Sequence, residues 1–518
     1  MNKTIFKLCC NLACVFVLFG CASTKVYTGE LLSSVPVEFQ DVQKCSSENK
    51  TEAVLSPDEV NEDCSMLKYL METAYAGYDA AVANGLSMNT AIQHIEAVFA
   101  GQKQIERRKF AKAVEAELRP YISDSHFILS TWRYQCSLCP AYTVYFSNTY
   151  VHKTGETFSV CLTDSDKIPL GSTYTDTKDT LFYYPAKGTD VYRIGIQASQ
   201  KTDGMDIHIN NAVVSLPVYT DGAIEVRNPN AIKYHELTTD NSVYVGISSF
   251  MMPDEHSQFR KGAELVFDKY ATLGVRYQDK KNIIIDLRSN GGGISVYSAA
   301  LLYSLYAKVT YFNKNIKKNT FDRKTMNNLY TFERNFVYSE YILSPAVIQK
   351  KIAWNKNLDR TNTVKYFENL LEVQKQNPVK NTYLERKKPP VTGKDKFDGQ
   401  VIILTDRNTC SASEETVLMA RELFGAEKRV TVIGENTHGC LQYISCFGYQ
   451  LPHSGIIVHL ASADYAPKLE SCGSWHGEGR GMYPDYWAAG DDLLETLVLA
   501  TGDEELRTRL ANIACGLQ

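Results

Sequence analysis

The stretch from Gly399 to Cys440 constrains the fold of this chain more than any other. Val401 to Leu404 is a short apolar run of β character, and Thr405 to Cys410 is polar and reads as a turn. Val417, Leu418, Ala420, Leu423 and Phe424 then recur at helical spacing, so a helix is expected over Ser413 to Phe424. Ser411 therefore falls where a strand hands over to a helix N-terminus. Free backbone N–H groups and the positive end of the helix dipole converge at such a point, so a hydroxyl there can attack a carbonyl while the resulting oxyanion is held. A simpler use is open to the same residue, because Ser411 with Glu414 three positions later also fits a capping box.

Upstream the pattern alternates. Strand Ser242–Phe250, helix His256–Leu273, strand Asn282–Asp286, a loop to Gly293, helix Ile294–Ala307 and strand Val401–Leu404 predict an α/β core over 241–518. A basic insertion interrupts it at about 311–398. Residues 311–400 hold 18 Lys/Arg against 9 Asp/Glu, and aromatic residues such as Trp354, Tyr366 and Phe367 lie among them, which suits lid helices with one buried face. The loop reads Asp286-Leu-Arg-Ser-Asn-Gly-Gly-Gly. Three consecutive glycines between strand and helix allow close approach and can turn their N–H groups into a cleft. No Lys-Ser or Lys-Thr follows and the GxGxxG spacing is missing, so no nucleotide cofactor is expected.

The N-terminus carries Lys3 and Lys7, an apolar run from Leu8 to Phe19, and then Gly20-Cys21. That is a secretory signal over 1–20, too short for a comfortable membrane span. Residues 21–55 are polar and read as a tether. From 56 to 130 the apolar spacing is helical, and Ser56-Pro57-Asp58-Glu59 is a helix start. Residues 131–240 are short Tyr/Val/Thr-rich runs broken by Gly, Asp and Asn, as expected of a small β domain. Of 14 Cys, ten lie beyond Cys21, an even number that permits disulfides in an exported chain. Cys136-Ser-Leu-Cys139 is one CxxC without a second pair at zinc-finger spacing, so it reads as a thiol or disulfide pair, and no metal is expected. The net charge of −4 gives no sign of a nucleic-acid partner.

Four motifs in order, Asp286-Leu-Arg-Ser-Asn-Gly-Gly-Gly, Thr409-Cys-Ser-Ala-Ser-Glu, Gly434-Glu-Asn-Thr-His-Gly and Glu478-Gly-Arg-Gly-Met-Tyr-Pro-Asp, make roughly residues 240–490 resemble the serine peptidase family of C-terminal processing (tail-specific) proteases and the tricorn core protease. The resemblance implies a crotonase/ClpP-like α/β core with an N-terminal helical cap and a small PDZ-like β domain. It also implies Ser411 as nucleophile, with backbone N–H groups of Gly291 or Gly292 and of Ala412 as oxyanion hole. The processing proteases place a general-base Lys after the last Gly of the third motif, where this chain has Cys440. The tricorn-like branch uses a His upstream of its β domain instead, and Ile122-Ser-Asp-Ser-His126 resembles that segment. An unassisted Ser hydroxyl is a poor nucleophile and needs a base within hydrogen-bond reach. His126 is therefore the expected base, Glu478 the expected third member, and His438 the rival base. Structural uses, as a hydrogen-bonded His and a turn carboxylate, remain open for His126 and Glu478. The segment ending in Cys21 resembles a bacterial lipoprotein signal, which implies lipidation of Cys21 and a place in the bacterial cell envelope.

The expected function is that of an exported, lipid-anchored serine endopeptidase acting on peptides or unfolded proteins, without metal or cofactor. The alternatives are a catalytically silent binding protein on the same fold and a serine esterase acting on a carbohydrate or small ester.

Overall fold

The computed structural model describes residues 54–131, 134–220, 234–250, 269–307, 340–357, 361–376, 397–470 and 472–514, with short pieces at 314–315, 320–321 and 383–385. The expected signal and Cys21, nearly all of the tether, most of the helix expected at 256–273 and much of the basic insertion lie outside them.

Three nearly unbroken apolar runs organise the core. Ser242–Ile247, Asn282–Asp286 and Gln400–Thr405 lie side by side in parallel, and Val430–Gly434 and Tyr486–Trp487 extend the sheet beyond Gln400–Thr405. Runs of this kind suit strands covered on both faces. Alternate residues do face opposite ways. Val243, Val245, Ile283, Ile285, Val401 and Ile403 pack against helices Ser295–Ala307 and Ala412–Phe424. Tyr244, Ile284, Ile402 and Leu404 pack against helix Asp492–Thr501. The sixth strand, Tyr234–Thr238, was expected in the β domain; it pairs antiparallel with Ser242–Ile247 in this sheet.

A second sheet joins residues that are far apart in sequence. Ile128–Thr131 pairs with Tyr134–Ser137 on one side and with Ile457–Asp464 on the other. Ile457–Asp464 also pairs with Tyr443–Gln450 and with Glu340–Ile342 from the basic insertion. The N-terminal helices Pro57–Ala74, Met88–Val98 and Arg107–Leu118 cover it, through Leu67, Leu70, Phe110 and Val114 against Phe127, Leu129, Val458 and Leu460. Ser56 starts the first helix with the expected capping box: Glu59 N–H donates to Ser56 Oγ at 3.3 Å and Ser56 N–H donates to Glu59 at 2.7 Å. In the insertion, helices Pro345–Asn357 and Thr361–Gln376 pack through Ile348, Ile352, Val364 and Phe367, while Ala346 and Val347 join the N-terminal core. This part of the insertion is thus built into the body.

Between these sheets in sequence, Thr143–Pro217 forms a seven-stranded antiparallel sheet. It rests on the core through Phe146, Phe182 and Tyr184, which pack with Trp487. No helix among the described residues is long and apolar enough to cross a membrane.

Candidate active site

Strand Gln400–Thr405 ends in a turn ordered by Asp406. Its carboxylate accepts the N–H of Asn408 and of Ser289, both at 2.9 Å, which joins the turn to the Gly-rich loop. Cys410 N–H donates to Asn290 C=O at 3.0 Å across the same seam. Ser411 follows with φ +55° and ψ −118°, outside the regions that a residue with a Cβ normally occupies. Such a conformation costs on the order of 1–3 kcal/mol and persists only where the surroundings enforce it. The enforcing group is Gly292. A Cβ there would lie 2.6 Å from Cys410 O, 2.8 Å from Ser411 Cβ and 2.9 Å from Ala412 N, and its own φ is +89°. Only glycine permits this approach.

The capping box expected at Ser411 is present, its side chain facing the Glu414 N–H while Ser411 N–H donates to the Glu414 carboxylate; the amides of Ala412 and Gly291 have no acceptor among the described residues. Of the two glycine alternatives, Gly292 has its amide engaged. Its N–H donates to Asn290 Oδ1 at 2.9 Å while Asn290 Nδ2 donates to Ile247 C=O at 3.0 Å, so this amide is committed to bracing the loop. The donors left to face a substrate beside Ser411 are those of Gly291 and Ala412.

Glu414 lies one helical turn on and is fully buried. Its carboxylate accepts Ser411 N–H at 2.9 Å, Cys440 N–H at 2.8 Å, Gly439 N–H at 2.8 Å and the Thr437 hydroxyl at 2.6 Å. Burial raises its pKa, and these donors oppose the rise. As a capping-box residue Glu414 was legible in the sequence; as a clamp between the nucleophile turn and the 437–440 loop it was not, because Thr437, Gly439 and Cys440 carry no local signal of where their donors point.

His126 is buried, at 2% exposure, on the segment leading into strand Ile128–Thr131. Asp124 Oδ1 accepts its backbone N–H at 2.7 Å, and its Nε2 lies 3.2 Å from Cys440 Sγ. Cys440 shares a Glu414 carboxylate oxygen with Ser411, so His126 reaches the neighbourhood of Ser411 across more than 280 residues of chain; the ring nitrogen faces the thiol, and no hydrogen bond joins it to Ser411. Desolvation lowers the His126 pKa to about 4, with the Tyr443 backbone opposing, so the ring is neutral at neutral pH. Asp124, buried beside it, is pushed up to about 7 by desolvation.

Glu478 does not touch the imidazole. It accepts N–H groups of Ser125 at 2.9 Å, Leu441 at 3.0 Å and Gln442 at 2.7 Å, tying the residue before His126 to the residues after Cys440. Burial and then the Asp124 charge push its pKa well upward. His438, the rival base, is bound to the turn: its N–H donates to Thr409 C=O at 2.8 Å and its Nδ1 lies 3.2 Å from Arg407 C=O. On the Gly-rich loop, Arg288 pairs in two-pronged fashion with Asp286, at 3.0 and 2.7 Å, and Tyr244 donates to the same carboxylate. The described cysteines, Cys136 and Cys139 among them, are free thiols. No group of His, Cys, Asp or Glu among the described residues is placed to hold a metal ion.

Residues 241–486 match the model of peptidase family S41. Among solved structures the chain is similar to mature CPAF, at 11% identity over 89% of this chain and 98% of that one with a TM-score of 0.43. It is also similar to the photosystem II D1 C-terminal processing protease, at 14% over 87% and 98% with a TM-score of 0.34. For the tricorn protease the values are 12% over 87% of this chain and 37% of that one, with a TM-score of 0.37. No curated protein matches the sequence. The strand, strained serine turn and helix described above lie inside the stretch that resembles peptidase family S41, and the chain is a serine-type peptidase, a hydrolase.

Proposed function

We propose that the protein is an exported, lipid-anchored endopeptidase that cleaves peptides or unfolded polypeptides, with Ser411 as nucleophile, His126 as general base and the N–H groups of Gly291 and Ala412 as oxyanion hole. The observation that carries this reading is the strained Ser411, held at a helix start with two unpaired amides, those of Gly291 and Ala412, beside it. The neutral His126 ring takes the hydroxyl proton as Oγ attacks the scissile carbonyl, and the negative charge settles on the oxygen facing Gly291 and Ala412. The ring then protonates the leaving amine, and water releases the acyl group by the same steps. For this His126 Nε2 must exchange Cys440 Sγ for Ser411 Oγ. Glu478 positions the His126 segment through its neighbours' amides, without touching the ring. In this reading the core is crotonase/ClpP-like, the Thr143–Pro217 sheet is the PDZ-like domain, and Cys21 carries the lipid that holds the protein in the bacterial envelope.

The test is Ser411→Ala assayed for casein hydrolysis and for labelling by a fluorophosphonate. The substitution removes one oxygen and leaves the turn's hydrogen bonds in place, so the melting temperature should hold while kcat falls by roughly three to six orders of magnitude. Hydrolysis and labelling at the parent level in the purified variant would remove Ser411 from the mechanism. Preference for a nitrophenyl ester, with casein untouched, would favour the esterase.

A further inference from the structure

Two buried thiols flank the proposed catalytic pair, and the mechanism uses neither. Cys410 directly precedes Ser411 and Cys440 contacts His126; they are 5% and 1% exposed, and their side chains face one another. The backbones that carry them are fastened together on both sides. His438 N–H donates to Thr409 C=O at 2.8 Å, and the Ser411 and Cys440 N–H groups share Glu414 Oε2 at 2.9 and 2.8 Å. Two cysteines 30 residues apart in sequence are thereby held opposite each other at the point where the nucleophile and base must meet.

The Cys440 contact falls on the atom that the base needs. Burial keeps the Cys440 thiol protonated and the His126 ring neutral; in the tautomer with the ring proton on Nδ1, the one a general base at Nε2 requires, the 3.2 Å contact is a thiol S–H donating to the Nε2 lone pair. That lone pair is the one that would take the Ser411 proton. While the thiol holds it, Ser411 must compete for it.

We propose that Cys410 and Cys440 form a dithiol–disulfide pair within the catalytic centre, and that closing the disulfide releases His126 Nε2 to serve Ser411. The inference rests on the Ser411–His126 reading. The oxidant is a disulfide, either a small molecule or a protein dithiol–disulfide partner. One cysteine thiolate attacks a sulfur of that disulfide and expels a thiol, leaving a mixed disulfide. The second cysteine then displaces the other thiol. Two electrons pass to the oxidant, the two cysteine protons end on the expelled thiols, and one S–S bond joins Cys410 to Cys440. A disulfide sulfur has no hydrogen to donate, so the lone pair of His126 becomes free. The protein would be slow as a dithiol and fast as a disulfide, as suits a peptidase made in a reducing compartment and used outside it.

The experiment equilibrates the purified full chain for hours against reduced or oxidised glutathione, traps thiols in denaturant and maps cross-linked peptides by mass. In parallel, the rate of fluorophosphonate labelling is measured. The expected results are a Cys410–Cys440 peptide in the oxidised sample and labelling about fivefold to tenfold slower after reduction, the factor imposed by one hydrogen bond that must first be broken. Cys440→Ala should label at the fast rate in both buffers, because the blocking thiol is gone. Cys410→Ala should label at the slow rate in both, because the thiol stays and has no partner. A structural role for the two side chains would not separate these variants in opposite directions. Absence of the cross-linked peptide in every buffer overturns the pair. A cross-link that leaves labelling unchanged or slower overturns its effect on His126. Labelling that persists in Ser411→Ala breaks the nucleophile reading instead, while the peptide map still decides whether the disulfide forms.

Discussion

At the scale of single residues, the site is a set of groups held in states they would not adopt in water. Ser411 sits at φ +55°, and Gly292 is packed so closely beneath it that any side chain would collide with its backbone. His126 is held neutral by burial, which moves its titration from the usual 6.5 to about 4. A base must be unprotonated to act, so the acid limb of the rate profile should be centred near about 4 in place of 6.5. The linkage has the same sign. The folded ring binds its proton less readily than the unfolded one, so its contribution to stability is complete above about 6.5 and is lost as pH falls through about 4. Casein hydrolysis followed from pH 8 to pH 3, with circular dichroism in parallel to exclude unfolding, checks this. A limb centred at 6.5 in folded protein would move the base role away from the buried His126.

At the scale of elements, one carboxylate joins three of them. Glu414 belongs to the first turn of helix Ala412–Phe424, yet it receives donors from its own N-cap and from the 437–440 loop. Replacing it by Ala strands four buried donors, and each buried donor left without a partner costs about 1–3 kcal/mol. Glu414→Ala should therefore show a lower denaturant midpoint, and the fraction that folds should label slowly, because only the His438–Thr409 hydrogen bond is left to hold the Ser411 turn against the 437–440 loop. An unchanged midpoint in urea would show that the clamp carries no stability. Asn290 plays the same part in the Gly-rich loop, where its side chain spans Gly292 N–H and Ile247 C=O. The glycine run announces a backbone that approaches closely; which of its amides remains free depends on that asparagine.

At the scale of the whole molecule, the proposed nucleophile and the proposed base come from separate layers. Ser411 lies in the turn after strand Gln400–Thr405 of the parallel sheet, whereas His126 enters through strand Ile128–Thr131, which pairs with Ile457–Asp464 beneath the N-terminal helices. Glu478 ties Ser125 of the His126 segment to Leu441 and Gln442, which follow the loop that Glu414 fastens to Ser411. Outside the described residues, the expectation of a lipid anchor has its own test. Cys21→Ala leaves a polar tether without an acyl chain, so the variant should move from the membrane to the soluble fraction on cell fractionation. Equal retention in the membrane would show that anchoring does not depend on this cysteine.

The sequence by itself determined what local periodicity and steric rules can encode. The buried runs at 282–286 and 400–405, the capping box at Ser56, the glycine loop and the serine at a helix start were all legible, because each depends on residues within a few positions of one another. Resemblance extended that to the peptidase domain. Only the tertiary structure decided that strand Tyr234–Thr238 joins the core sheet, that Gly292 N–H goes to Asn290, that Glu478 binds backbone amides away from the imidazole, and that His126 Nε2 rests on the Cys440 thiol. Each of these is a contact between segments that the chain brings together only on folding. A directional hydrogen bond depends on positions within a few tenths of an ångström, and sequence spacing carries no such information across hundreds of residues.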